Sequence, residues 1–152
     1  MLAADDGTTL LHFSQVEDLD AVPGQDLTWK DEVDAAVPGI ERVGVVAGRR
    51  RRSTPAYGAS GQPSCVVLVT RVFDGPDRRR AEQLIEAMFE STSDTPPADG
   101  LLSAHFYVSP DGARVLNYAL WASWQQAHAW PGLLGTTFQR FRPVLHLNRP
   151  GL

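Results

Sequence analysis

The feature that most constrains this chain is the stretch from Leu101 to Trp121, two strand-like segments joined across Pro110-Asp111-Gly112. Asp-Gly between such segments signals a hairpin, because glycine accepts the positive φ of a tight turn and aspartate bonds its own backbone. The spacing predicts strands over 102–108 and 114–121. An isolated hairpin is marginal in water, so the rest of the chain must add strands and cover a sheet face.

The flanking sequence meets that demand. Cys65 to Phe73 is apolar enough for a central strand. Asp74-Gly75-Pro76 then turns the chain and puts Pro76 near the first position of a helix, where its missing N–H costs nothing. Ala81, Leu84, Ile85 and Met88 mark one face of that helix to about Glu90, with Arg78, Arg79, Glu82 and Glu86 outward. Ser123 and Gln126 fit a capping box for a helix starting at Trp124, which Pro131-Gly132 cuts short. A last strand is expected over Pro143 to Arg149. The order from Cys65 is β-α-β-β-α-β, an α+β, ferredoxin-like unit whose antiparallel sheet carries both helices on one face.

The first part of the chain looks like an incomplete copy. Asp5-Asp6-Gly7 is a turn signal before a strand-like run, Thr8 to Val16, although only Met1 to Ala4 precede it as a partner. Trp29, Val33, Ala36 and Val37 keep a helical period that Pro38-Gly39 ends, and Ile40 to Arg52 reads as a strand leaving the core at its arginines. Aligning Asp6-Gly7 with Asp111-Gly112 puts His12 on Asn117, Phe13 on Tyr118 and Val16 on Trp121, an offset of whole-domain size. The expected division is a partial β-α-β repeat over 1–57, a Gly- and Pro-rich linker over 58–64 and a complete domain over 65–152. Unpaired strand edges in a half unit would favour dimerisation or instability.

Composition narrows the function. A net charge of −4 disfavours a nucleic-acid partner, and Arg49 to Arg52 reads as a solvated strand end. One cysteine, Cys65, excludes an internal disulfide and a cysteine metal cluster, and fits a buried thiol in a reducing, cytoplasmic setting. No signal peptide and no membrane span are evident, and no metal site is expected.

The segment GLLSAHFYVSPDGARVLNYALWAS resembles the hairpin of antibiotic biosynthesis monooxygenase domains, where a strand, a Ser-x-Asp-Gly turn and a Val-Leu-Asn-Tyr-x-x-Trp strand recur. The resemblance covers 65–149 in topology and 101–124 in motif. It implies a dimeric α+β barrel acting as a homodimer. It also implies oxidation of an aromatic polyketide-type phenol to a quinone with O2 as co-substrate and no cofactor. Tandem members occur in that family. Carried over residue by residue, its site residues on this strand fall on Asn117 and Trp121. Strand parity agrees independently, since 117, 119 and 121 share one face and Leu116, Tyr118 and Leu120 the other.

His105, Tyr118, His128 and Arg142 are further candidates for substrate contact, the histidines as bases and Arg142 as partner to an anion. The alternatives are a non-catalytic ligand-binding protein or a polyketide cyclase on the same fold. Haem degradation in relatives uses an Asn on the first strand, and Cys65 to Phe73 contains none.

Overall fold

The computed structural model describes residues 1–13, 15, 31, 34–41, 46–58, 62–132 and 136–144. Its elements are β1 (Leu2–Ala4), β2 (Leu10–Leu11), β3 (Arg49–Ser53), β4 (Cys65–Val72), α1 (Arg78–Thr92), β5 (Leu101–Val108), β6 (Arg114–Trp121), α2 (Trp124–Ala129) and β7 (Thr137–Pro143). The strands form one seven-stranded sheet in the order β2-β1-β7-β4-β6-β5-β3, and every pairing is antiparallel. Its middle, β7-β4-β6-β5, is the ferredoxin-like order expected of a β-α-β-β-α-β chain.

Two compact units divide the chain, Met1–Phe13 with Gly48–Leu152 and, separately, Ser14–Ala47. β3 precedes residues 58–64 and β4 follows them, yet both belong to the same sheet, so that stretch does not bound the sheet. Within Ser14–Ala47, residues 34–36 are helical and Ile40 N–H bonds the Val37 carbonyl across Pro38-Gly39, where the sequence ends its helix. The rest of the helix expected from Thr28, and the strand expected from Ile40 as far as residue 45, lie largely outside the described residues.

Both Asp-Gly turns form as read. At Gly112, φ is 75° and an added Cβ would lie 2.3 Å from Arg78 N, so only glycine fits. Asp111 accepts from Ala113 N at 2.9 Å and from Ser109 Oγ at 2.7 Å, bonds that hold its carboxyl below the usual range. Asp6 accepts from Thr8 N at 2.7 Å and Thr9 N at 2.9 Å, which brings its pKa to about 2.

Five expectations need correction. The strand expected over Thr8 to Val16 is, among the described residues, only Leu10–Leu11, with His12 and Phe13 outside it. The one expected over Ile40 to Arg52 is Arg49–Ser53, so that the arginines are the paired strand itself and 46–48 are not strand. Leu2–Ala4, though short, is a full partner: it pairs with Leu10–Leu11 on one side and with β7 on the other. The last strand runs Thr137–Pro143 and ends where the sequence reading began it, because the alternation of Phe138, Arg140 and Arg142 with buried Phe141 is the strand pattern there. Pro76 stands before the helix; Asp77 is its cap, accepting from Arg80 N at 2.9 Å.

Two cores lie on the two sheet faces. On one, Cys65, Val67, Val69, Ala104, Phe106 and Val115 pack under Ala81 and Ile85 of α1 and Ala127 of α2. On the other, Leu2, Ala4, Val66 and Phe141 are buried with Leu68, Tyr118 and Leu120 against them. Each fully buried side chain such as Val66 or Phe141 contributes about 1.5–3 kcal/mol. The second cluster therefore ties the N-terminal strand firmly to β4 and β7.

Candidate functional site

Strand β6 alternates as its parity requires. Val115, Ala119 and Trp121 enter the core beneath the helices, while Tyr118 and Leu120 join the opposite face. Asn117 is in register with Val69 of β4 and Phe106 of β5, both helix-side residues, and antiparallel partners share a face. Asn117 and Trp121 therefore project to the same side, with buried Ala119 between them.

Each carries a polar atom without a partner. Asn117 Oδ1 and Trp121 Nε1 are buried and make no hydrogen bond, although Trp121 as a whole is 3% exposed. An unmade buried hydrogen bond costs about 1–3 kcal/mol. A buried acceptor and a buried donor thus stand open on one strand face, four residues and roughly 13 Å of backbone apart, each able to take a ligand group of its own. The missing partners, and not the residue types alone, distinguish this spot from ordinary core.

Aromatic rings adjoin it. Trp130 lies 6.2 Å from Trp121, and Phe138 meets Trp130 edge-on at 5.7 Å. Gly132, with φ of 82°, lets Phe138 approach to where an added Cβ would be 2.8 Å from its ring. Arg140 fastens this corner: its Nε donates to Ala127 O at 3.1 Å, a cation at the C-terminal end of α2 where the helix dipole favours it. Trp130 and Phe138 were not singled out from sequence. The alternation of Phe138 with two arginines was the available signal.

The other candidates fall into two places. His128 and Arg142 meet on Trp124, the imidazole 5.8 Å from the indole and the guanidinium 4.3 Å above it, both side chains exposed. His105 and Tyr118 are cross-strand neighbours on the face away from the helices. There His105 Nδ1 is 2.8 Å from Ser53 Oγ and its Nε2 is 3.2 Å from Ser103 Oγ. Burial, and secondarily Arg50, lowers the His105 pKa. Phe13 stacks on Tyr118 at 4.2 Å and 16°, and burial with nearby Tyr107 raises the Tyr118 hydroxyl to about 12. The structure thus places Asn117 and Trp121 on one sheet face and His105 and Tyr118 on the other. Tyr107, also unmarked in the sequence reading, has a buried hydroxyl without a partner on that second face.

Cys65 is a free, fully buried thiol whose pKa burial raises, in keeping with a packing role. Among the described residues, no group of three or more His, Cys, Asp or Glu side chains is placed to hold a metal, and no helix is long and apolar enough to cross a membrane.

Sheet order and helix placement make this an α+β protein with a ferredoxin-like core extended at both sheet edges. No protein-family model matches the chain, and no curated protein matches it. Among solved structures it is similar to LmHde, a heme-degrading enzyme from Listeria monocytogenes. That similarity has 14% identity and a TM-score of 0.48, and covers 76% of this chain and 92% of that one.

Proposed function

We propose that this chain is a cofactor-independent monooxygenase of the antibiotic biosynthesis monooxygenase type, oxidising an aromatic polyketide-type phenol to a quinone with O2. The observation that carries the reading is the open pair Asn117 Oδ1 and Trp121 Nε1 beside Trp130 and Phe138. The free atom of Asn117 is an acceptor, so it accepts a hydrogen bond from the phenol O–H. Trp121 Nε1–H, four residues along the strand, donates to a second substrate oxygen that is conjugated with the first and gains negative charge with it. A hydrogen bond that strengthens on ionisation lowers the barrier by a few kcal/mol, about 2.7–4 for a single oxyanion donor.

The amide accepts the hydrogen bond but not the proton, which passes to water, and the resulting phenolate is electron-rich enough to pass an electron to O2. The overall step balances as phenol plus O2 giving quinone plus water: one oxygen atom enters the ring and the other leaves with the two hydrogens. The protein's part is to bind the ring, hold the anion and exclude bulk water. On this reading the chain acts as a homodimer in the cytoplasm, and residues 1–57 are a partial copy of the domain's second half. The like construction of the Asp6-Gly7 and Asp111-Gly112 turns supports that copy.

The test is oxygen uptake and quinone yield with anthrone- or naphthacenone-type phenols, compared among wild type, Asn117→Ala and Trp121→Phe. The reading expects one quinone per O2 and losses of about a hundredfold in each variant. Turnover untouched by both substitutions would remove these residues from the mechanism. Ring closure without O2 uptake would favour a cyclase, and binding without product a carrier. Hemin belongs in the same assay: its binding and breakdown in place of phenol oxidation would replace the proposal.

A further inference from the structure

Arg49 to Arg52 form β3, an edge strand of the described sheet, and charge on an edge strand discourages pairing with other chains. Edge protection does not account for where these side chains go. Arg49 pairs with Val108 and Arg52 with Phe106, a span of three residues on β3 against two on β5. The bulge between Arg50 and Arg52 brings both Arg49 and Arg52 to the helix side, where simple alternation would have separated them. Arg51 joins them, its Nε 3.9 Å from Glu82 Oε1 of α1, and Arg52 pairs with Glu86.

The end of α1 that they face is itself basic. Behind the Asp77 cap, its first turn is Arg78-Arg79-Arg80, three consecutive cations with no acidic residue among them. Arg80 pairs with Asp74, and Arg78 donates to the Pro110 carbonyl at 2.9 Å. Among the described residues, neither Arg49 nor Arg79 has an acidic partner. Between the two elements is a cleft of about 160 Å³ whose lining includes four arginines (49, 50, 51 and 78) and one acid, Glu82. Seven arginines from two elements (49–52 and 78–80) thus gather here against four carboxylates, Asp74, Asp77, Glu82 and Glu86, an excess of positive charge.

We propose that this cleft binds the phosphate or diphosphate group of a phosphorylated small molecule. Guanidinium groups recognise phosphate oxygens in a planar, two-pronged manner. The volume equals that of about five waters at ~30 Å³ each, suited to one such group and too small for a polymer backbone. An adjoining groove of about 450 Å³ shares Arg51 and Glu82 and continues past Gln83, Glu86 and Glu90. Its polar lining suits a hydroxyl- or amine-bearing remainder of the ligand. The cleft lies between β3 and α1, on the same sheet face as Asn117 and Trp121 but two strands across from β6, and does not depend on the oxygenase reading.

Isothermal titration of the full chain with inorganic diphosphate, repeated with inorganic phosphate and at raised salt, tests it. The expected result is one site that prefers diphosphate and weakens with salt. The double variant Arg49→Gln/Arg78→Gln should bind about tenfold or more weakly, while Glu82→Gln binds more tightly. Arg142→Gln, on β7 with three strands between it and β3, serves as the charge-matched control and should bind as wild type. Absence of diphosphate binding at millimolar concentration, or equal weakening in Arg142→Gln, would overturn the proposal. So would an RNA or DNA oligomer that displaces diphosphate and binds more tightly than it does.

Discussion

Asn117 stands in register between Val69 and Phe106 with its Oδ1 buried and unbonded, so leucine, of nearly the same size, would exchange an open acceptor for an apolar branch. Removing an unmade buried hydrogen bond recovers about 1–3 kcal/mol. Because the whole side chain is only half-buried, the lower end applies, about 1 kcal/mol in favour of the variant. For a chain of this length that corresponds to a rise of about 2–4 °C in Tm. Urea unfolding followed by tryptophan fluorescence measures it as a higher midpoint at unchanged slope. The same variant should lose phenol oxidation, since the atom that costs stability is the one assigned to the substrate. A loss of more than about 1 kcal/mol in Asn117→Leu would refute the reasoning, because it would mean that the amide holds the fold together.

Other outcomes follow from the same structure. His105 has a folded pKa below its ordinary 6.5, so on acidification the unfolded chain takes up a proton that the folded one refuses. Stability should fall as pH drops from about 6.5 through the lower folded value, and His105→Gln should flatten that slope in urea midpoints. Tyr118, raised from 10.0 to about 12, does the reverse. Its contribution holds below pH 10 and is lost as pH rises through 12, so phenolate absorbance should show one late-titrating tyrosine that Tyr118→Phe removes. Gly112→Ala should cost about 2 kcal/mol or more, read by the same urea melts, since it strains a positive φ and drives a methyl into the backbone of Arg78.

Much of the sheet was legible because local chemistry and global fold agree there. The Pro110-Asp111-Gly112 turn, the β6 parity and the Ser123 cap each rest on interactions within a few residues, and Gln126 N does bond Ser123 Oγ, at 3.1 Å. What escaped reading depends on distant partners. Leu2–Ala4 is too short to register as a strand, and its place is set by Phe141 and Val66, more than sixty residues away. The β7 strand was hidden because its arginines look like surface, although Arg140 is held by carbonyls of the α2 end. For the site, parity put Asn117 and Trp121 together. That both would be left without partners is a property of packing, which no spacing reveals. Nor could sequence show the bulge that turns three of four arginines toward α1.

Whether Asn117 and Trp121 face a ligand can be observed directly from the indole N–H resonances of isotope-labelled protein. There are four tryptophans, and Trp121→Phe identifies the signal of interest. Titration with an anthrone-type phenol under anaerobic conditions should move the Trp121 resonance downfield as its N–H gains an acceptor, and Asn117→Leu should reduce that shift. A saturating phenol that leaves the Trp121 indole N–H where it was would contradict the account.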